Sequence, residues 1–97
     1  MSVEWSEGAT RQIQAEHSWI ARTSPARADA LAERIIERTV SLETNPRLGA
    51  EVPEYGDDEL RELFEHPYRI LYRLDGENVQ IVAIIHASRR LPTNPPR

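Results

Sequence analysis

The chain has no cysteine and no lysine, and only one methionine, one phenylalanine and four glycines in 97 residues. Without cysteine there is neither a disulfide frame nor a thiolate metal site. No apolar run approaches the roughly 20 residues that a membrane-crossing helix needs, and the N-terminus lacks a signal-peptide pattern, so a cytoplasmic protein with no membrane partner is expected. There is no glycine-rich phosphate loop and no Gly-x-Ser-x-Gly elbow. His17, His66 and His86 show no metal-ligand spacing, so neither a metal nor a cofactor is expected.

All twelve basic residues are arginine, and they stand against sixteen acids for a net charge of −4. Arginine suits bidentate contact with carboxylate or phosphate, but a GC-rich genome gives the same bias, so the lysine deficit by itself carries no function. The charge is uneven. Residues 1–60 hold 6 Arg against 12 Asp and Glu, a net of −6, whereas residues 61–97 hold 6 Arg against 4 acids, a net of +2. The overall negative sign argues against nonspecific nucleic-acid binding.

The strongest local signal lies between Leu60 and Pro92. Tyr68, Ile70, Tyr72 and Leu74 alternate with Arg69, Leu71 and Arg73, the period of a half-buried strand. Asp75-Gly76-Glu77-Asn78 supplies a tight turn, and Val79–Ile85 is nearly all apolar, as a central strand would be. A two-residue loop at Gly76-Glu77 pairs Leu74 with Val79, Tyr72 with Ile81 and Ile70 with Ala83. That register puts Tyr68, Ile70, Tyr72, Leu74, Val79, Ile81, Ala83 and Ile85 on the core face. Arg69, Leu71, Arg73, Gln80, Val82, Ile84 and His86 fall on the opposite, open face.

Upstream, Val3 and Trp5 mark a short first strand. Ser6 is placed to cap a helix reaching about Arg22, in which Gly8 weakens the first turn. Ser24-Pro25 restarts the chain as cap and first helical residue. Leu31, Ile35 and Leu42 give the second helix a face for the sheet, and Ile36 and Val40 form a stripe to its side. Residues 46–59 read as one long loop in which five acids crowd between Glu51 and Glu59, most simply a solvated loop. The expected fold is α+β, with an N-terminal strand and an antiparallel helical hairpin on one face of a mostly antiparallel sheet that ends in a three-stranded meander. One domain spans 1–92, followed by a polar, proline-rich tail at 93–97.

The segments VEWS (3–6), NPRLGAEVPE (45–54), LRELF (60–64) and PYRILYRLDGENVQIVAIIHASRRL (67–91) resemble the RelE/ParE toxin superfamily, the toxin halves of type II toxin–antitoxin modules, also known as plasmid stabilisation proteins. The resemblance implies a cognate antitoxin, a DNA-binding dimer whose flexible segment folds onto the hairpin and gives a hetero-oligomer. Trp19, Ile36 and Val40 are the expected antitoxin contacts. It also implies growth arrest by one of two routes. The ParE-like route, favoured here, binds DNA gyrase and involves no catalysis. The RelE-like alternative cuts mRNA on the ribosome, and would rely on His86, Arg69 and Arg89. Arg69 matches the arginine of the Tyr-Arg-x-x-Tyr motif, and Arg89 or Arg90 the basic position after the last strand. The nuclease branch's sheet lysines are missing, as is any tyrosine after Tyr72, and the negative charge disfavours ribosome docking. For either target the expected contact set is Arg69, Arg73, His86, Arg89 and Arg90. An inactive homologue that only binds antitoxin is a third reading.

Overall fold

The computed structural model describes residues 2–97. Strand β1 (Ser2–Trp5) leads into helix α1 (Glu7–Ala21), and the Ser6 side chain accepts from the Ala9 backbone N–H at 3.0 Å. Helix α2 (Pro25–Val40) begins with proline in its first turn, and the Ser24 hydroxyl accepts from Arg27 N–H at 3.2 Å. Both caps satisfy a donor that a helix start leaves orphaned. A 3-10 turn over Ser41–Glu43 follows, then β2 (Ala50–Glu51), β3 (Leu60–Glu65), β4 (Tyr68–Asp75) and β5 (Asn78–His86).

The five strands form one sheet in the order β1-β5-β4-β3-β2, with β1 parallel to β5 and the other pairs antiparallel. Gly76, at φ +60°, makes the tight β4–β5 connection. Because β1 is short, β5 runs past it. The Ser6 N–H donates to Ile81 O at 2.9 Å, and Ile84 N–H donates to the Gln12 side chain at 2.8 Å, so α1 caps part of the edge that β1 leaves open.

The hairpin register holds as far as Leu74↔Val79 and Tyr72↔Ile81 and then slips. A bulge between Leu71 and Tyr72 sets Leu71 against Ala83 and Ile70 against Ile84, not Ile70 against Ala83. One extra residue in β5 reverses every later side chain. Ile84 therefore joins the helix-side core, and Ala83 and Ile85 pass to the other face. His86 changes sides as well: opposite Tyr68, its ring meets the Tyr68 ring edge-on at 5.4 Å on the helix side.

The helix-side core joins Ala9, Leu31, Ile35 and Leu42 to Leu63, Ile70, Tyr72 and Ile81. The outer face is not open as expected. Val52, Leu60, Leu71, Val82, Ala83 and Leu91 form a second buried cluster there, and Tyr55 packs against it and donates its hydroxyl to Pro92 O at 2.7 Å. The loop after β2 and the chain after β5 thus roof this face. Gly49 sits where backbone and ring converge. Its N–H donates to the Tyr72 hydroxyl at 2.8 Å, and a Cβ there would collide with the Glu62 carbonyl oxygen.

Candidate functional site

The five residues expected to contact a target do not share one surface. Arg69 and Arg73 lie on the outer face, His86 and Arg89 on the helix side, and Arg90 is exposed beyond the end of β5.

Arg69 is held tightly. Its Nε donates to Glu62 at 2.6 Å, and its two terminal nitrogens reach Glu54 at 2.7 and 2.9 Å, with a further contact to Glu62 at 3.1 Å. Only 13% of the Arg69 side chain is exposed, so two carboxylates occupy most of its donor fork. The Arg69 hydrogen bonds hold the Glu54 carboxyl down to about pKa 2, and the two carboxylates push the Arg69 pKa above its ordinary value. Arg73 is half-buried and meets Asp57 at 3.5 Å. Glu54 and Asp57 both come from the loop that Tyr55 ties to Pro92. The two outer-face arginines thus serve to dock the acidic loop.

On the helix side a groove of about 800 Å³ opens between the α1–α2 connection and the His66–Pro67 turn, with Trp19, Ile20, Leu31 and Tyr68 among its lining residues. Three arginines border it: Arg27 and Arg34 from α2, and Arg89 after β5. Glu16 enters from α1, accepting the Tyr68 hydroxyl at 2.8 Å and facing Arg89 at 3.4 Å. Burial, and then this carboxylate, push the Tyr68 pKa up to about 12. Trp19 is 66% exposed at the rim, with the Arg22 guanidinium 4.9 Å from its ring centre.

His86 lines the same groove, and Nδ1 accepts the Ser88 backbone N–H at 3.1 Å. The Ser88 hydroxyl lies 2.7 Å from the same nitrogen, so Nδ1 is engaged within its own turn. The antitoxin-facing candidates behave as a surface. Ile36 and Val40 are 49% and 51% exposed, and Ile36 borders a shallow apolar depression with Ile13 and Ala32. No metal-holding group of His, Asp and Glu occurs among the described residues, and no described helix is long and apolar enough to cross a membrane.

Sequence reasoning missed Glu54 and Glu62 as partners of Arg69, and Arg27, Arg34 and Glu16 as neighbours in the groove. The α2 arginines did carry a signal. Arg27, Arg34 and Arg38 recur at spacings of seven and four, which aligns them along one flank of a helix.

Residues 3–91 match the family model for the ParE toxin of the type II toxin–antitoxin system parDE. The chain belongs to the ParE toxin family. Its fold is similar to that of a solved chain described as the chromosomal ParDE TA system from P. aeruginosa, with a TM-score of 0.75 and 24% identity, over 91% of this chain and 97% of the other. No curated protein matches the sequence. The match over residues 3–91 takes in both the clamped outer arginines and the residues of the helix-side groove.

Proposed function

We propose that this ParE-family chain arrests growth by binding DNA gyrase, as a protein ligand and not as a catalyst. In this reading a cognate antitoxin neutralises it by docking on the helical hairpin through Trp19, Ile36 and Val40. The observation that carries the reading is the ParE match over residues 3–91. The similar fold from P. aeruginosa, which belongs to a ParDE pair, supports an antitoxin partner.

The arrangement of charge supports the non-catalytic route. Cutting RNA at a 2′-hydroxyl requires a base and cations converging on one phosphate. Here the sheet separates His86 from Arg69 and Arg73, and two carboxylates occupy Arg69, so of the residues expected for RNA cleavage only His86 and Arg89 share one groove. Within the expected contact set, Arg89 and Arg90, exposed after the end of β5, are the residues this reading gives to an anionic or acidic target. Toxicity is assigned there.

Purified protein is expected to block gyrase supercoiling or to accumulate cleaved DNA. Ribosome profiling after induction provides the opposing measurement, because in-frame mRNA cleavage at the A site would overturn the gyrase reading. No growth arrest in the absence of antitoxin would instead mark an inactive homologue.

A further inference from the structure

We propose that Tyr55 is a positioning residue: it ties down the chain after β5 and so pre-orders Arg89 and Arg90 for an acidic target. This rests on the reading above that these two arginines meet the target, and adds the side chain that holds their backbone in place.

The chain leaving β5 is anchored on both sides of the two arginines. Before them, Ala87 N–H donates to Pro67 O at 2.8 Å, Arg89 N–H donates to His86 O at 2.9 Å, and Ser88 N–H donates to His86 Nδ1 at 3.1 Å. After them, Leu91 is buried in the outer apolar cluster with Val52, Leu60 and Leu71, and Pro92 O accepts the Tyr55 hydroxyl at 2.7 Å. Ser88, Arg89 and Arg90 therefore form an arch over the end of the sheet. It runs from the helix side, where Arg89 faces Glu16 at 3.4 Å, to the outer face, where Leu91 is buried.

The far anchor depends on Tyr55. Among the described residues no other hydrogen bond reaches residues 91–97. Tyr55 is itself seated, because its N–H donates to Val52 O at 3.1 Å and its ring packs against the cluster that contains Leu91. Apolar burial of Leu91 is not directional, whereas the hydroxyl fixes the carbonyl that follows it. Neither arginine supplies a tight hold of its own. Arg89 is 67% exposed, and Arg90 makes no ion pair among the described residues. Without the tie, the chain past β5 would be held at one end only, and a target would have to order it on binding. That ordering subtracts from affinity, and an arch closed beforehand avoids the loss.

The test is Tyr55→Phe in the full chain, which deletes the hydroxyl and keeps the ring in the cluster, so the fold is retained; thermal melting checks this. Amide heteronuclear NOE values are expected to fall at Ser88, Arg89, Arg90 and Leu91 and to stay as in the parent along α1 and α2. Affinity for purified gyrase is expected to fall about fivefold, the scale set by ordering one or two side chains on binding. In an Arg90→Ala background the same change should cost about twofold or less, because one of the groups it positions is already gone. A merely structural Tyr55 would show no such coupling. The proposal is overturned if the arch amides are as rigid in Tyr55→Phe as in the parent, if affinity is unchanged, or if the full loss persists in the Arg90→Ala background. Growth arrest on expression separates this from the gyrase reading. A parent that arrests growth without binding gyrase removes that reading, and the proposal then stands if Tyr55→Phe relieves the arrest at equal protein level and falls if it does not. A parent that does neither overturns both.

Discussion

The two faces of the sheet solve the same problem differently. On the helix side, α1 and α2 lay a continuous apolar layer over β3, β4 and β5, and the cations collect at its margin in a groove. On the outer face no helix is present. A loop and a strap after β5 cover a smaller apolar cluster, and arginines hold the loop down through its own acids. The same residue type thus does opposite work. Arg69 is consumed internally, and Arg27 and Arg34 stay available. Available charge depends on partners at hydrogen-bond distance, and a count of arginines along the chain does not reveal it.

The comparison is broken most sharply in the helix-side core. Tyr72 is fully buried and its hydroxyl receives the Gly49 N–H. Tyr72→Ala is expected to cost about 3–5 kcal/mol, from the cavity and the orphaned donor together. On the outer face Leu91, 9% exposed, is the corresponding plug, and Leu91→Ala is expected to cost about 2 kcal/mol, the low end for a leucine, because a strap can settle into the gap. Urea unfolding of the two variants gives the ratio. Equal losses would mean that the outer cluster is as integral to the fold as the helix-side core.

The clamp comes next. Arg69→Ala strands Glu62, whose side chain is 18% exposed, while Glu54, at 43%, can turn to water. The expected loss is about 2 kcal/mol, discounted from the fully buried case because Glu54 is well solvated. Adding Glu62→Gln should recover part of it, since the stranded charge is then gone. If Arg69→Ala melts like the parent protein, the clamp contributes nothing and Arg69 is free to act on a target.

This contrast was only partly legible in the sequence. The caps at Ser6 and Ser24-Pro25, the turn at Gly76 and the pairs Leu74↔Val79 and Tyr72↔Ile81 all have local chemical causes, and each reads directly from residue type. The bulge does not. Val79–Ile85 has almost no polar residue to mark its faces, so nothing shows where β5 takes up an extra residue. That single slip moved His86 away from Arg69. The roof over the outer face was hidden for another reason: Leu91 stands before a polar tail, and Glu54 and Glu62 are eight positions apart, one in the loop after β2 and the other in β3. Their convergence on Arg69 is a tertiary fact.

A smaller effect should appear with pH. Glu54 is depressed from an ordinary value of 4.5 to about 2 by its Arg69 hydrogen bonds. A carboxylate depressed in the folded state contributes its full stabilisation above the unfolded value and loses it as pH falls through the folded one. The outer clamp should therefore weaken between about pH 4.5 and 2, and Glu54→Gln should flatten that part of the stability curve. Hydrogen exchange at Tyr55 and Gly56, whose N–H groups both donate to Val52 O, would localise the change to the outer face. Uniform loss of protection across α1 and α2 would count against it.

The smallest expected effect on the fold falls on Arg89 and Arg90, and it sharpens the comparison because the consequence for function should be the largest. Arg89 is 67% exposed and its pairing with Glu16 spans 3.4 Å, while Arg90 has no ion pair among the described residues. Exposed pairs of this kind contribute about 0–1 kcal/mol, so Arg89→Ala/Arg90→Ala should melt close to the parent protein. Both side chains nevertheless project where β5 ends, at the junction of the cationic groove and the exposed end of the sheet. The backbone turn before them is held where Ala87 N–H donates to Pro67 O and Arg89 N–H to His86 O, while the guanidinium tips are free, which suits capture of an acidic target. Growth arrest should be lost in this double variant without loss of folding, whereas Arg69→Ala should lower toxicity only as far as it lowers stability. Measuring both against melting temperature separates the two roles. Full toxicity in the Arg89→Ala/Arg90→Ala variant would move the target surface off the end of β5, and the exposed stripe of Ile36 and Val40 would be the next surface to change.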